Sequence, residues 1–124
     1  MITNYSASRI LNKLWNNATL TQPGTYYFGF SSTTPDITGG GVLEPTVGAY
    51  ARIGVPSDGT NWSTATTTTL TNLLPITWVE STASWGPLTY LVVFDALTGG
   101  NLWFYDVLTP SFTVAANTTV YFAA

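Results

Sequence analysis

Between Leu88 and Leu108 two apolar runs flank a short glycine-containing linker, and neither run alternates apolar with polar. Leu88–Asp95 sets Leu91 and Val93 opposite Tyr90, Val92 and Phe94; Asn101–Leu108 sets Leu102 and Phe104 opposite Trp103 and Tyr105. Successive side chains of a strand point to opposite faces, so a strand with one wet face alternates. The linker Ala96-Leu97-Thr98-Gly99-Gly100 carries the glycine pair that a tight hairpin connection favours. The segment therefore reads as a hairpin whose two faces must both leave water. One face can fill the core of a barrel or sandwich, and the other needs a cover. That cover is either internal, such as an N-terminal helix bearing Leu11, Leu14 and Trp15, or a neighbouring subunit. A subunit interface would bury Tyr90, Val92, Phe94, Trp103 and Tyr105, residue types enriched at interface centres. Each large apolar side chain contributes about 1.5–3 kcal/mol when fully buried. Left in water, such a patch invites aggregation.

The remaining pattern is consistent with an all-β chain. Tyr26, Phe28 and Phe30 share one face of a strand over Thr25–Thr33, which Thr34-Pro35-Asp36 ends. Pro35–Gly48, with Gly39-Gly40-Gly41, reads as a long loop. Further strands are expected over Ala49–Val55, the Thr-rich Thr64–Thr71 and Leu74–Glu80, then a final pair, Phe112–Val114 with Thr119–Phe122. Helical spacing occurs over Asn4–Asn17, where Tyr5, Ile10, Leu11, Leu14 and Trp15 cluster, with Asn4 or Ser6 as the cap and Arg9 and Lys13 on the opposite face. The expected fold is an antiparallel β-barrel or sandwich of about seven or eight strands with one short N-terminal α-helix. It forms a single domain over 1–124, with the helix and linker in 1–22 and the barrel or sandwich in 23–124. The helix either plugs one end of that barrel or docks onto a neighbouring subunit, which would put Leu11, Leu14 and Trp15 in the interface.

Charge narrows the partners. Only 7% of residues are charged, against roughly 25% in an ordinary soluble domain. Polarity comes instead from hydroxyls and amides, including 23 Thr. Low charge weakens repulsion between neighbouring copies. A net charge of −3 argues against a nucleic-acid partner, which requires clustered Lys and Arg. No apolar run approaches the ~18 residues of a membrane span. The start, MITNYSASRILNK, lacks a signal-peptide pattern, so synthesis in a cytoplasm is expected.

Chemistry is sparse. With no Cys and no His, thiol nucleophiles, His-based triads and the usual zinc ligand sets are absent. Asp95 and Asp106 are the best carboxylate pair, each following an aromatic strand, but Asp at a strand end commonly caps a turn. Gly39–Gly41 has no following Lys and no helix, as a phosphate loop needs. The chain is expected to be no enzyme, to hold no metal and to need no cofactor. A carbohydrate-binding module is the competing reading, with Trp62 and Trp85, near turns, as the aromatics best placed for exposure.

One resemblance runs along nearly the whole chain. The segments TYYFGFSSTTPD, GAYARIGVP, NWS and ITWVESTASWGPLTYLVVFDALTGGNLWFYDVLTPSFTVAANTTVYF follow a short helix ending in a Leu/Trp cluster. This order resembles a group of small tailed-bacteriophage virion proteins, known variously as head decoration (cement) or tail fibre proteins. The resemblance implies a β-barrel or sandwich on the outer surface of a phage head, made in the host bacterial cytoplasm. The implied partners are the major capsid protein and further copies of the chain, a trimer being favoured; no catalytic residue carries over. The alternative is a tail fibre or baseplate component that binds host glycans. Within this frame Tyr50 and Arg52 belong to the barrel wall, and a buried Arg52 needs a carboxylate partner.

Overall fold

Alternating aromatics and β-branched residues give the strands of the computed structural model, which describes residues 1–124. The helix α1 (Asn4–Asn16) precedes six strands: β1 (Thr25–Ser31), β2 (Ile53–Pro56), β3 (Ile76–Thr77), β4 (Gly86–Phe94), β5 (Leu102–Val114) and β6 (Tyr121–Phe122). β2-β1-β4-β5 form a four-stranded sheet and β3-β6 a two-stranded one. Every pairing is antiparallel. The architecture is an open sandwich rather than a closed barrel.

The hairpin of β4 and β5 is the one expected, with two irregularities that matter. Phe94 pairs with Leu102 and Val93 with Phe104, so Trp103 is an extra residue in β5. This bulge breaks the alternation: Leu102 and Tyr105 pack on one face, and the Trp103 ring lies against Tyr26 and Phe104 on the other. Farther along, Leu88 pairs with Phe112 and Tyr90 with Val107, leaving Thr89 alone opposite Leu108–Ser111. Pro110 sits in this excursion, on a strand at the end of the sheet order where a missing N–H is tolerated. The expected break after Leu108 is therefore a bulge within one long strand. Phe112–Val114 pairs with β4, and the last strand, β6, pairs with β3 instead. Thr64–Thr71 holds only a Thr66–Thr69 bridge around a turn, because Thr has β propensity but no apolar face there to bury.

Both faces of the hairpin carry a core built by the chain itself, with Phe104 and Val107 left partly in water. On the first, Phe28, Phe30, Leu88 and Val93 pack with Ile76 and Trp78. Phe30 lies 4.6 Å from Trp78 and 5.6 Å from Phe112 between ring centroids. The Trp78 indole, buried with these rings, donates to the Phe28 carbonyl at 3.2 Å, so no polar atom is stranded. On the second, Val92, Phe94, Leu102 and Tyr105 form a smaller core with Tyr27, Tyr90 and Val42.

The second cover is the loop after β1. Ser32 N–H donates to the Leu43 carbonyl at 3.0 Å, Thr33 Oγ1 to the Gly41 carbonyl, and Thr34 Oγ1 to the Tyr90 hydroxyl at 3.3 Å. Pro35 is fully buried beneath it. Asp36 Oδ1 accepts from the N–H groups of Thr38 and Gly40 and shapes the turn. Gly41 has φ +74°, and a Cβ there would lie 2.5 Å from the Thr34 carbonyl, so the fold-back requires glycine. A segment expected to be a plain loop thus closes the hairpin's second face, a task the sequence assigned to α1 or a neighbour.

Candidate interaction surface

The attachment of α1 begins with unpaired backbone on β5. Residues Met1–Thr3 run antiparallel beside Trp103–Tyr105, with a bridge between Ile2 and Phe104. Thr3 N–H donates to the Trp103 carbonyl at 3.1 Å, and Tyr105 N–H to the Met1 carbonyl at 3.0 Å. The Thr3 hydroxyl donates to the Leu102 carbonyl at 2.6 Å and the Ser6 hydroxyl to the Trp103 carbonyl at 2.7 Å. Thr3 also accepts from Ser6 N–H and is the helix cap, in place of Asn4 or Ser6. Asn17, at φ +51°, ends the helix, and Ala18 N–H donates to the Asn12 carbonyl at 3.1 Å.

These contacts choose which face of α1 turns inward. Tyr5 meets the Trp103 ring edge-on at 5.5 Å, and the Arg9 guanidinium lies over both rings, at 5.3 Å from Tyr5 and 5.8 Å from Trp103. Arg9 is therefore on the inner side, not the outer side expected of it. At about 100° per residue, Trp15 lies on the side of the helix opposite Ser6. Leu11, Leu14 and Trp15 are accordingly 53%, 68% and 81% exposed. An edge strand offering two free carbonyls draws hydroxyls rather than leucines, and the apolar stripe faces solvent.

The residues expected at an interface thus separate into two groups. Leu11, Leu14 and Trp15 lie together on the outer face of α1. Val92, Phe94, Trp103 and Tyr105 are buried within the chain, and Tyr90 is half-buried under the Thr34 loop. Val92, Phe94 and Tyr105 are enclosed in the core that the loop after β1 covers, and Trp103 lies against Tyr5 and Arg9 of α1.

The polar groups are mostly used in holding the fold. Arg52 and Glu44 form an ion pair of 2.6 Å with side chains 7% and 21% exposed, supplying the carboxylate that a buried Arg52 requires. Arg52 also donates to the carbonyls of Ala96 (2.8 Å) and Gly99 (2.7 Å), and lies 3.5 Å above the centre of the Phe94 ring. The Tyr50 hydroxyl donates to Glu44 and accepts from Phe30 N–H, each at 2.8 Å. Burial first, then the Glu44 charge, pushes that phenol far above its ordinary range. Asp95 accepts from Asn101 N–H (2.7 Å), the Asn101 amide (2.9 Å) and the Trp103 indole (3.2 Å), so it caps the hairpin turn. Asp106 stands opposite Leu91, three residues along β4 from Phe94, and accepts from Val107 N–H. At ~3.3 Å per residue that separates the two carboxylates by about 10 Å or more along the sheet, and they share no partner. No group of three or more His, Cys, Asp or Glu is placed to hold a metal ion, and no helix is long and apolar enough to cross a membrane.

Neither expected surface tryptophan is freely exposed. Trp85 is 5% exposed, with its indole donating to the Gly48 carbonyl at 2.8 Å. Trp62 is half-buried, stacked on Phe28, and one wall of a surface cleft.

No curated protein matches the chain. Over residues 1–124 it matches the family described as podophage GP4 fiber I protein gp80, and it belongs to that family of phage virion proteins.

Proposed function

We propose that the chain is a non-enzymatic structural subunit of a phage fibre and that it assembles, as a trimer, through the outer face of α1. The observation that carries this reading is the Leu11–Leu14–Trp15 stripe, held on a helix fixed to β5 and covered by nothing in the chain. Trp is among the residues that most often anchor interfaces. With nine charged residues in 124, copies meet with little repulsion. The family's description as a fibre protein supports placement in a fibre.

A second reading, decoration (cement) of the head surface, draws support from a second apolar area. Leu70, Leu73 and Leu74 are also exposed. Leu74 borders β2, at the opposite end of the sheet order from β5, where α1 sits. A cement protein has to meet both its own copies and the major capsid protein, and two separated apolar areas suit that task.

Gold-labelled antibody against the chain, applied to intact particles, tests both. Label along fibres supports the first reading and label over the shell supports the second. Particles that carry no label, with the protein present only in the lysate, contradict both.

A further inference from the structure

Beside Trp62 an open cleft of about 300 Å³ is lined by Tyr26, Asp58, Thr64 and Leu70 as well as Trp62 itself. Its aromatic wall is held in place. The Trp62 indole donates to the Pro56 carbonyl at 3.0 Å, and the ring stacks on Phe28 with centroids 5.8 Å apart and planes 24° from parallel. Asp58 is oriented by its own turn: Oδ1 accepts from Thr60 N–H (3.0 Å), Asn61 N–H (3.0 Å) and the Asn61 amide (2.8 Å), while Oδ2 accepts no hydrogen bond within the chain. The Asn61 side chain first, and then its backbone N–H, hold the carboxyl below its ordinary value of 3.8, so it is charged at neutral pH.

A ligand that complements this arrangement has an apolar face for the rings and for Leu70, and hydroxyl donors at its edge for the carboxylate. A pyranose has both, a face of C–H groups and a rim of O–H groups. A cation also favours aromatic faces. Here two walls and an open side do not enclose one, and three N–H donors already answer the Asp58 charge.

We propose that this cleft binds a single pyranose ring, with its C–H face on Trp62 and a hydroxyl on Asp58 Oδ2. The site shares no residue with the outer face of α1, so this proposal and the assembly reading stand or fall separately.

The test is titration of the ¹⁵N-labelled 124-residue chain with glucose, galactose and N-acetylglucosamine separately, and with choline chloride in parallel. At least one sugar is expected to give saturable shifts of the Trp62 indole N–H and the Thr60–Thr64 amides. Asp58→Asn, which keeps an oxygen for the three turn donors, is expected to weaken that binding about tenfold. Trp62→Phe, which preserves a ring against Phe28, is expected to weaken it too, whereas Trp15→Asp leaves it unchanged. Three results overturn the proposal: no saturable shift with any of the sugars, shifts with choline alone, or sugar binding that neither cleft variant weakens.

Discussion

Glu44 and Arg52 pair beside the smaller of the two cores, where the Arg52 guanidinium lies over the Phe94 ring. Gly29 in β1 lies against this pair: a Cβ there would lie 2.6 Å from the Tyr50 hydroxyl and 2.7 Å from Glu44 Oε1. Gly29→Ala is expected to destabilise the fold by about 1–3 kcal/mol, the usual range for overpacking. Glu44→Ala leaves a buried guanidinium without its carboxylate and is expected to cost about 3–5 kcal/mol. Urea unfolding followed by tryptophan fluorescence measures both, and Glu44→Ala is expected to be the worse. Three aspartates contribute to acid stability. At Asp95, burial raises the pKa, but the Asn101 and Trp103 donors outweigh it and leave the group below its ordinary 3.8. Asp36 is lowered by Thr38 first, and Asp58 by Asn61 first. A group whose folded pKa is depressed contributes stability that is complete above its unfolded value and lost as pH falls through the folded one. The melting temperature is therefore expected to hold down to about pH 4 and to fall below it, with a shallower fall in Asp95→Asn. An identical acid profile in that variant would remove Asp95 from the account.

Among the elements, the β4–β5 hairpin was the most legible in sequence, because continuous apolar runs around a glycine turn leave few alternatives. The helix was legible in extent but not in orientation. Its Leu/Trp stripe left open whether it met the barrel or a neighbour, whereas the edge carbonyls of Leu102 and Trp103 are met by the Thr3 and Ser6 hydroxyls, and those short side chains decide the matter. Two-residue strands such as β3 and β6 carry almost no local signal, and their pairing joins residues far apart in sequence. The cover provided by Pro35 and Val42 was equally hidden, since a glycine-rich stretch reads as a turn whether or not it lies on a core. Thr3→Val removes both the cap and the bond to Leu102. It is expected to cost about 1–2 kcal/mol and to raise amide exchange across α1 while β4 stays protected. Equal loss of protection in β4 would mean that α1 and the sheet unfold as one unit.

For the whole molecule, the two cores take up Tyr90, Phe94, Tyr105 and Phe112 of the hairpin, Trp103 is buried against Tyr5 and Tyr26, and Leu14 and Trp15 on α1 are the most exposed large apolar side chains. Candidate interface residues drawn from sequence included both kinds, because periodicity identifies apolar side chains without saying what already covers them. Val92, Phe94, Trp103 and Tyr105 are internal, so substitutions there report on folding; Leu11, Leu14 and Trp15 are external, so substitutions there report on association. The central claim, assembly through the outer face of α1, is tested most directly by light scattering on the size-separated chain. The wild type is predicted to have the mass of a trimer, and Trp15→Asp that of a monomer with an unchanged circular dichroism spectrum. A wild-type monomer, or a Trp15→Asp trimer, would contradict the claim.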